Sequence, residues 1–244
     1  MNDSVKAHYD AFLAGSYSWI SGGPDGQIRK NREFFSSHGI IPGDNRVAID
    51  LGAGCGFQSV PLAGLGYSVT AVDFCGSLLD ELRLYAGDLS IQTVQSDILQ
   101  FSSWSGRNPA LIVCMGDTLT HLPALPDVEI LIRHCYSDLV PGGRLVLSLR
   151  DYSREPDGAV VVVPVLRDKD RIFLCRLAYH AYAVTVQDIL YSGTRGIWER
   201  TASEYTKIRI DQDTLTRLLT GAGFGIEHSS VKDGIMTVIA RKGT

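Results

Sequence analysis

The sequence predicts an α/β fold: a mostly parallel sheet with helices on both faces and an antiparallel β cover insertion. Three observations predict it. From Arg46 onward, short and nearly continuous apolar runs alternate with helical patterns, the texture of parallel strands buried on both faces. The first of these runs leads straight into a glycine-rich turn, Asp50-Leu51-Gly52-Ala53-Gly54-Cys55-Gly56, that opens a helix. Between 158 and 209 the alternation fails, and four β-like segments follow one another with no helix between them.

The elements follow in order. A helix is expected over Val5 to Leu13 and a second over Gly26 to Ser37, separated by the turn residues Gly22-Gly23-Pro24-Asp25 and ended by Gly39. Val47–Leu51 reads as the first strand, followed by helix Phe57–Gly64. Tyr67–Val72 is the second strand, followed by helix Ser77–Tyr85, and Ile91–Val94 is the third. Ala110–Met115 is the fourth, followed by helix Pro126–Leu139, and Arg144–Leu149 is the fifth. Crossovers between such strands are right-handed. The insertion comprises Val160–Leu166, Arg171–Leu177, Ala183–Tyr191 and Trp198–Ile210, with turns expected at Asp168-Lys169-Asp170 and Ser192-Gly193. Helix Asp211–Thr220 has Asp211 as N-cap and Gly221 near its C-cap. Strands Ile226–Val231 and Ile235–Ala240 close the chain as a hairpin around Asp233-Gly234, so the last strand runs antiparallel to its neighbour. The expected domains are a helical clamp over 1–40, the sheet domain over 41–157 plus 211–244, and the β cover over 158–210.

Composition narrows the function classes. The chain has 244 residues, 45% of them hydrophobic, which is enough for a large core. Its 23 Lys and Arg against 27 Asp and Glu give a net charge of −4, where a nucleic-acid binder shows a basic excess. No apolar stretch reaches the roughly 18 residues of a bilayer span. Met1-Asn2-Asp3-Ser4-Val5-Lys6 lacks the pattern of a secretory leader, so a cytoplasmic location is expected. The five cysteines are odd in number and form no Cys-x-x-Cys pair, which disfavours a disulfide framework or a zinc site; no metal is expected. Apolar faces on the cover leave a homodimer open.

The glycine turn carries the chemistry. Gly52, Gly54 and Gly56 permit a tight turn and let backbone approach a ligand closely, with Ala53 between them. Spacing alone is a weak signal. Gly221-Ala222-Gly223-Phe224-Gly225 repeats it after a helix, where it reads as a helix stop. The context of the first loop is stronger. Asp73 ends the second strand 17 residues after Gly56, where a carboxylate accepts both hydroxyls of a ribose. Asp97-Ile98 ends the third strand, pairing an acceptor for an adenine amino group with an apolar side chain. Three strand ends therefore point to an adenosine ligand. The third glycine comes one position too early for a dinucleotide fingerprint, and no Gly-Lys-Ser/Thr marks a phosphate loop. Asp50 would repel a pyrophosphate but suits a cationic methionyl group. The expected cofactor is S-adenosylmethionine.

These motifs, with Val72-Asp73 and Leu139-Val140-Pro141-Gly142-Gly143, resemble those of class I S-adenosylmethionine-dependent methyltransferases over roughly residues 45–150. The resemblance implies a Rossmann-like seven-stranded sheet whose last strand is antiparallel. A narrower resemblance, to glycine N-methyltransferases, rests on Val113-Cys114-Met115-Gly116-Asp117-Thr118-Leu119-Thr120-His121-Leu122-Pro123, on Leu149-Arg150-Asp151-Tyr152, and on Tyr17-Ser18-Trp19 with Arg29. It implies that Arg150 holds a substrate carboxylate and that Arg29 and Trp19 clamp the cofactor. Guanidinium matches carboxylate in a two-pronged geometry. Asp117 stands where that family has an amide, and would draw a protonated or polar amine.

The expected activity is transfer of a methyl group to a small-molecule acceptor, an amine or an amino-acid-like nitrogen. Asp117 and His121 are the candidate catalytic residues. The cofactor-binding set is Trp19, Arg29, Asp50, Gly52, Ala53, Gly54, Gly56, Asp73, Phe74, Asp97, Ile98 and Met115. Asp117, Arg150, Tyr152 and Tyr191 are expected to bind substrate. Oxygen methylation, protein methylation, a non-catalytic cofactor-binding module and a nicotinamide-dependent dehydrogenase are the alternatives, the last opposed by the glycine spacing.

Overall fold

In the computed structural model, residues 3–155, 160–194 and 196–244 are described. The expected boundary at 157/158 lies outside them. The N-terminal region is a chain of short helices: α1 (Asp3–His8), a π-helical turn at Tyr9–Leu13, a 3₁₀ turn at Ala14–Ser16, α2 (Tyr17–Ile20) and α3 (Pro24–Ser37). The expected helix at 5–13 thus changes its hydrogen-bond register after His8 rather than running through.

The sheet domain contains β1 (Val47–Leu51), α4 (Ser59–Gly64), β2 (Ser68–Asp73), α5 (Gly76–Ala86), β3 (Ile91–Gln95), β4 (Leu111–Cys114), α6 (Leu125–Asp138) and β5 (Arg144–Arg150). The cover contains β6 (Val160–Arg167), β7 (Arg171–Tyr179), β8 (Ala183–Thr194) and β9 (Ile197–Ile208). Then come α7 (Gln212–Ala222), β10 (Phe224–Lys232) and β11 (Ile235–Lys242). The seven-stranded sheet has the order β10-β11-β5-β4-β1-β2-β3, and the cover is a separate antiparallel sheet in the order β6-β7-β8-β9. β1 through β5 pair parallel to their neighbours among themselves, whereas β11 runs antiparallel to both β5 and β10. The order reverses at β1, which lies between β2 and β4. That reversal opens a crevice at the carboxyl ends of the strands.

Two boundaries differ from the sequence reading. The expected turn at Ser192-Gly193 is strand: Ser192 pairs with Glu199 and Gly193 with Trp198, and the chain reverses only after Thr194. Gly193 fits there because the Trp198 ring covers it, so close that a Cβ would lie 3.0 Å from the indole. Helix α7 passes through Gly221 and stops at Gly223, whose left-handed φ of 104° makes it the C-cap. At its other end Asp211 is the N-cap, and its carboxylate accepts from the Thr214 amide.

Apolar cores form on both faces of the sheet. On one face, Leu131, Ile132 and Cys135 of α6 and Leu215 and Leu219 of α7 pack over Ile49, Ile112, Leu147 and Val238. On the other, Phe35 of α3 and Leu62 of α4 pack over Ala48, Val113 and Val146. The cover has its own cluster, in which Val5 of α1 meets Tyr152, Leu177, Val184, Val186 and Tyr205. Among the described residues, no helix is long and apolar enough to cross a membrane.

Candidate active site

The crevice is a cavity of about 480 Å³, within the range of small-ligand sites. Its floor is the glycine turn. Both Gly52 and Ala53 donate to the Val72 carbonyl, which locks the turn onto the end of β2. Gly52 has φ +76° and abuts Thr118; a Cβ there would lie 2.4 Å from that side chain. Gly54 also has positive φ, and faces the cavity with nothing closer to its Cβ position than Tyr17 at 3.8 Å. Gly56 serves packing: a Cβ would meet Leu82 of α5 at 2.7 Å.

Asp73 sits at the rim of this floor. One carboxylate oxygen accepts from the Gly54 amide and the other from the Cys75 amide, each at 2.8 Å. Burial raises its pKa to about 6, against the opposing pull of the amides of Cys75, Gly54 and Phe74. Phe74, Ile98 and Met115 supply apolar wall. Asp97 does not line the cavity; its carboxylate accepts from the Leu99 amide at 2.9 Å, beside the wall residue Ile98.

Asp50 lies inside the sheet rather than at the cavity. It is 1% exposed, and its Oδ2 accepts from the Ser59 hydroxyl at 2.6 Å. Burial raises its pKa to about 7. Arg29 is exposed on α3 and Trp19 is half-buried; neither lines the cavity. Trp19 instead stacks under the Arg171 guanidinium, 4.0 Å from the ring centre, joining the N-terminal segment to the cover. That segment reaches the cavity through Tyr9, Tyr17 and Gln27, which the sequence reading did not name.

The opposite wall comes from the end of β4 and from the cover. Asp117 follows β4 with φ +78°, a left-handed conformation that a non-glycine residue adopts at a cost. Its amide donates to the Ser148 carbonyl. Its carboxylate accepts from the Arg150 amide at 2.9 Å, the Tyr152 hydroxyl at 3.3 Å and the Lys207 ammonium at 2.5 Å. Burial opposes its charge, but the charge and hydrogen bond of Lys207, with the Arg150 amide, outweigh it and hold the carboxyl below its usual range. Burial likewise opposes the charge on Lys207, and Asp117 with the neighbouring tyrosines reverses the balance, so the lysine stays ionised.

His121 is 7% exposed and stacks on Tyr205, ring centres 5.4 Å apart, with Tyr9 edge-on at 5.7 Å. Burial, with Lys207 next, lowers its pKa to about 3, so the imidazole is neutral at physiological pH. Arg150 is exposed at the cavity rim, and Tyr152 is buried in the wall. Tyr191 is half-buried on β8 and lies outside the cavity. Val163, Val165, Phe173, Leu177 and Val186 of the cover close the cavity with apolar surface.

The structure thus brings the glycine turn and Asp73 together with Asp117, His121, Tyr152 and Lys207 in one cavity. Residues 48–143 match a family model described as a methyltransferase domain. Over these residues the chain is similar to methyltransferase domains. Its fold recurs in solved structures. An S-adenosylmethionine-dependent methyltransferase from Clostridium acetobutylicum aligns with 89% of this chain and 92% of its own, at 15% identity and a TM-score of 0.76. An amino pentose methyltransferase of calicheamicin biosynthesis from Micromonospora echinaspora, solved with S-adenosylmethionine bound, covers 99% and 97% at 16% identity and a TM-score of 0.68. A curated relative, a ubiquinone biosynthesis O-methyltransferase from Xanthomonas axonopodis pv. citri, is 34% identical over 151 residues, 59% of this chain and 60% of that one. The chain spans about half the length of the curated relatives it matches.

The calicheamicin-pathway neighbour holds S-adenosylmethionine. The cavity here has features that fit such a molecule: a bare glycine cradle at Gly52 and Gly54, a carboxylate at Asp73 with lone pairs beyond those given to two amides, and apolar walls at Ile98 and Met115.

Proposed function

We propose that the chain transfers the methyl group of S-adenosylmethionine to a small-molecule acceptor, with a neutral amine nitrogen as the reacting atom. The observation that carries this reading is the single cavity in which the glycine turn and Asp73 face Asp117, His121, Tyr152 and Lys207. The cofactor supplies a methyl group already activated on a cationic sulfur. The chain's work is alignment and exclusion of water. Gly52, Ala53, Gly54 and Asp73 would hold the adenosine, with Phe74, Ile98 and Met115 against its apolar faces and Asp97 beside the base.

On the acceptor side Lys207 neutralises Asp117, and the positive charge of Arg150 at the rim disfavours protonation of an entering amine. A neutral amine keeps the lone pair that the displacement needs. Arg150 at the rim suits a carboxylate on the same acceptor, in keeping with the glycine N-methyltransferase-like motifs. An oxygen acceptor is the second reading, favoured by the buried Lys207 ammonium on the cavity wall and by the likeness to an O-methyltransferase.

The test is a screen of amines, amino acids and hydroxylated small molecules, read as S-adenosylhomocysteine formed. Amino acids are expected to turn over, and Arg150→Ala to raise their KM while sparing kcat. Turnover confined to acceptors with no nitrogen would overturn the amine reading. Absence of S-adenosylmethionine binding in calorimetry would overturn the methyltransferase reading itself.

A further inference from the structure

We infer that Lys207 is an acceptor-binding residue, and that its ammonium receives an oxygen of the acceptor, a phenolic or carboxylate oxygen in its anionic form. The inference rests on the methyltransferase reading above and names the oxygen chemistry that the acceptor brings to that site.

Lys207 lies on β9, 8% exposed, and lines the cavity. An ammonium has three donors. Among the described residues its one hydrogen-bonded partner is Asp117, at 2.5 Å. The rings of Tyr152 and Tyr205 flank it at 5.9 and 5.7 Å and offer faces rather than acceptors. Two donors thus remain on the cavity wall, beside the faces of two aromatic rings.

Asp117 has less spare capacity. Three of its roughly four lone-pair sites already accept from Arg150, Tyr152 and Lys207, so the chain's own ammonium occupies the place that the sequence reading gave to the acceptor's amine. The other buried carboxylate of the cover wall, Asp188, lies 3.1 Å from His8. His121 adds a polar atom to the same wall, since its buried Nδ1 has no partner among the described residues. Unused donors on a cation, with the nearby carboxylates engaged elsewhere, select an oxygen over a protonated nitrogen.

The experiment uses the whole chain saturated with S-adenosylhomocysteine and two probes, 4-nitrophenol and benzoate. Calorimetry reads both. The absorption of 4-nitrophenol also reports whether it binds as phenolate. The wild-type complex is expected to bind one probe, with 4-nitrophenol shifted toward phenolate if the phenolic form is the one recognised. Lys207→Met is expected to weaken that probe by about tenfold to a hundredfold, the loss of a charge-assisted hydrogen bond. The double variant Lys207→Met with Asp117→Asn leaves no unpaired buried carboxylate, and should show the same loss should the single variant misfold. Binding of 4-nitrophenol identifies a phenolic oxygen, and binding of benzoate a carboxylate. Binding of neither probe, or binding unchanged by both variants, would overturn the inference. Failure to bind S-adenosylhomocysteine at all would instead overturn the methyltransferase reading.

Discussion

Asp50 accepts a hydrogen bond from the Ser59 hydroxyl at 2.6 Å, tying the penultimate residue of β1 to the first residue of α4. The carboxylate that directly precedes the loop therefore braces the helix that follows it. Its second oxygen is buried without a partner among the described residues, and burial raises its pKa from 3.8 to about 7.

That pKa predicts the pH dependence of stability. The folded state holds a proton on Asp50 between about pH 4 and 7 that the unfolded chain has released, so stability falls as pH rises through this window. Asp73 contributes the same sign between 3.8 and about 6. Asp50→Asn keeps an acceptor for Ser59 and should flatten the curve, most strongly around pH 5 to 6. Relative to wild type, the variant should gain a few kcal/mol at pH 8. Urea melts at pH 5, 6, 7 and 8 check this, and parallel curves for the two proteins would refute it.

Asp73 predicts the pH dependence of cofactor binding. Ribose hydroxyls donate to a carboxylate, and protonation removes accepting capacity. Affinity for S-adenosylhomocysteine should therefore fall as pH drops through about 6. Asp73→Ala should weaken binding by about tenfold or more at pH 8, the loss of hydrogen bonds to a charged group. Calorimetry at pH 5 and pH 8 measures both effects.

Gly52→Ala should damage stability and cofactor binding together. The new methyl would lie 2.4 Å from Thr118 in a backbone with φ +76°. Strain of this kind costs about 1–3 kcal/mol. Gly116→Ala is the control, because it too has positive φ but nothing lies within 4 Å of the added carbon. Thermal melts should place Gly52→Ala below Gly116→Ala.

The fold was readable because its signals are periodic. Buried runs such as Leu111–Cys114 and Leu145–Leu149 stand out against the amphipathic α6 and α7. The cavity floor at Gly52, Gly54 and Asp73 was readable because a glycine turn beside a strand-end aspartate is a local pattern. The acceptor wall was not, since it is assembled by tertiary contact between β4 and a cover 90 residues away, at Lys207. One signal for Lys207 did exist. It lies two residues after Tyr205 on a strand, so the two share a face, and an aromatic facing inward carries the lysine with it. Within Glu204-Tyr205-Thr206-Lys207 that alternation reads equally well as polar residues facing solvent. Asp50 shows the opposite error, a motif position assigned to a ligand when its side chain points into the sheet.

His121 should leave no mark on the pH–rate profile. Its pKa, lowered to about 3 by burial and by Lys207, keeps the imidazole neutral on both sides of pH 6.5. A catalytic histidine near its ordinary pKa would give a limb between pH 6 and 7 that vanishes in His121→Asn. Here the variant should lower kcat through lost stacking against Tyr205 and Tyr9, with the shape of the profile unchanged. A limb near pH 6.5 that disappears only in His121→Asn would show that the imidazole titrates as a general base.

The cover is tied to the N-terminus by His8, whose Nε2 lies 3.1 Å from the Asp188 carboxylate, both side chains buried. His8→Ala would open a space beside Asp188, which keeps its hydrogen bond from the Cys175 thiol. The expected loss is about 1–3 kcal/mol, from the buried ring's lost packing against Tyr205 and Phe12. Asp188→Asn leaves that packing in place and should cost less. Because α1 packs through Val5 against Val184 and Val186, the loss should be local. Hydrogen exchange should quicken in 3–13 and 183–194 of His8→Ala while β1 and β4 stay protected. Quickening spread evenly over the central sheet would show that His8 supports the global fold rather than the seating of the cover.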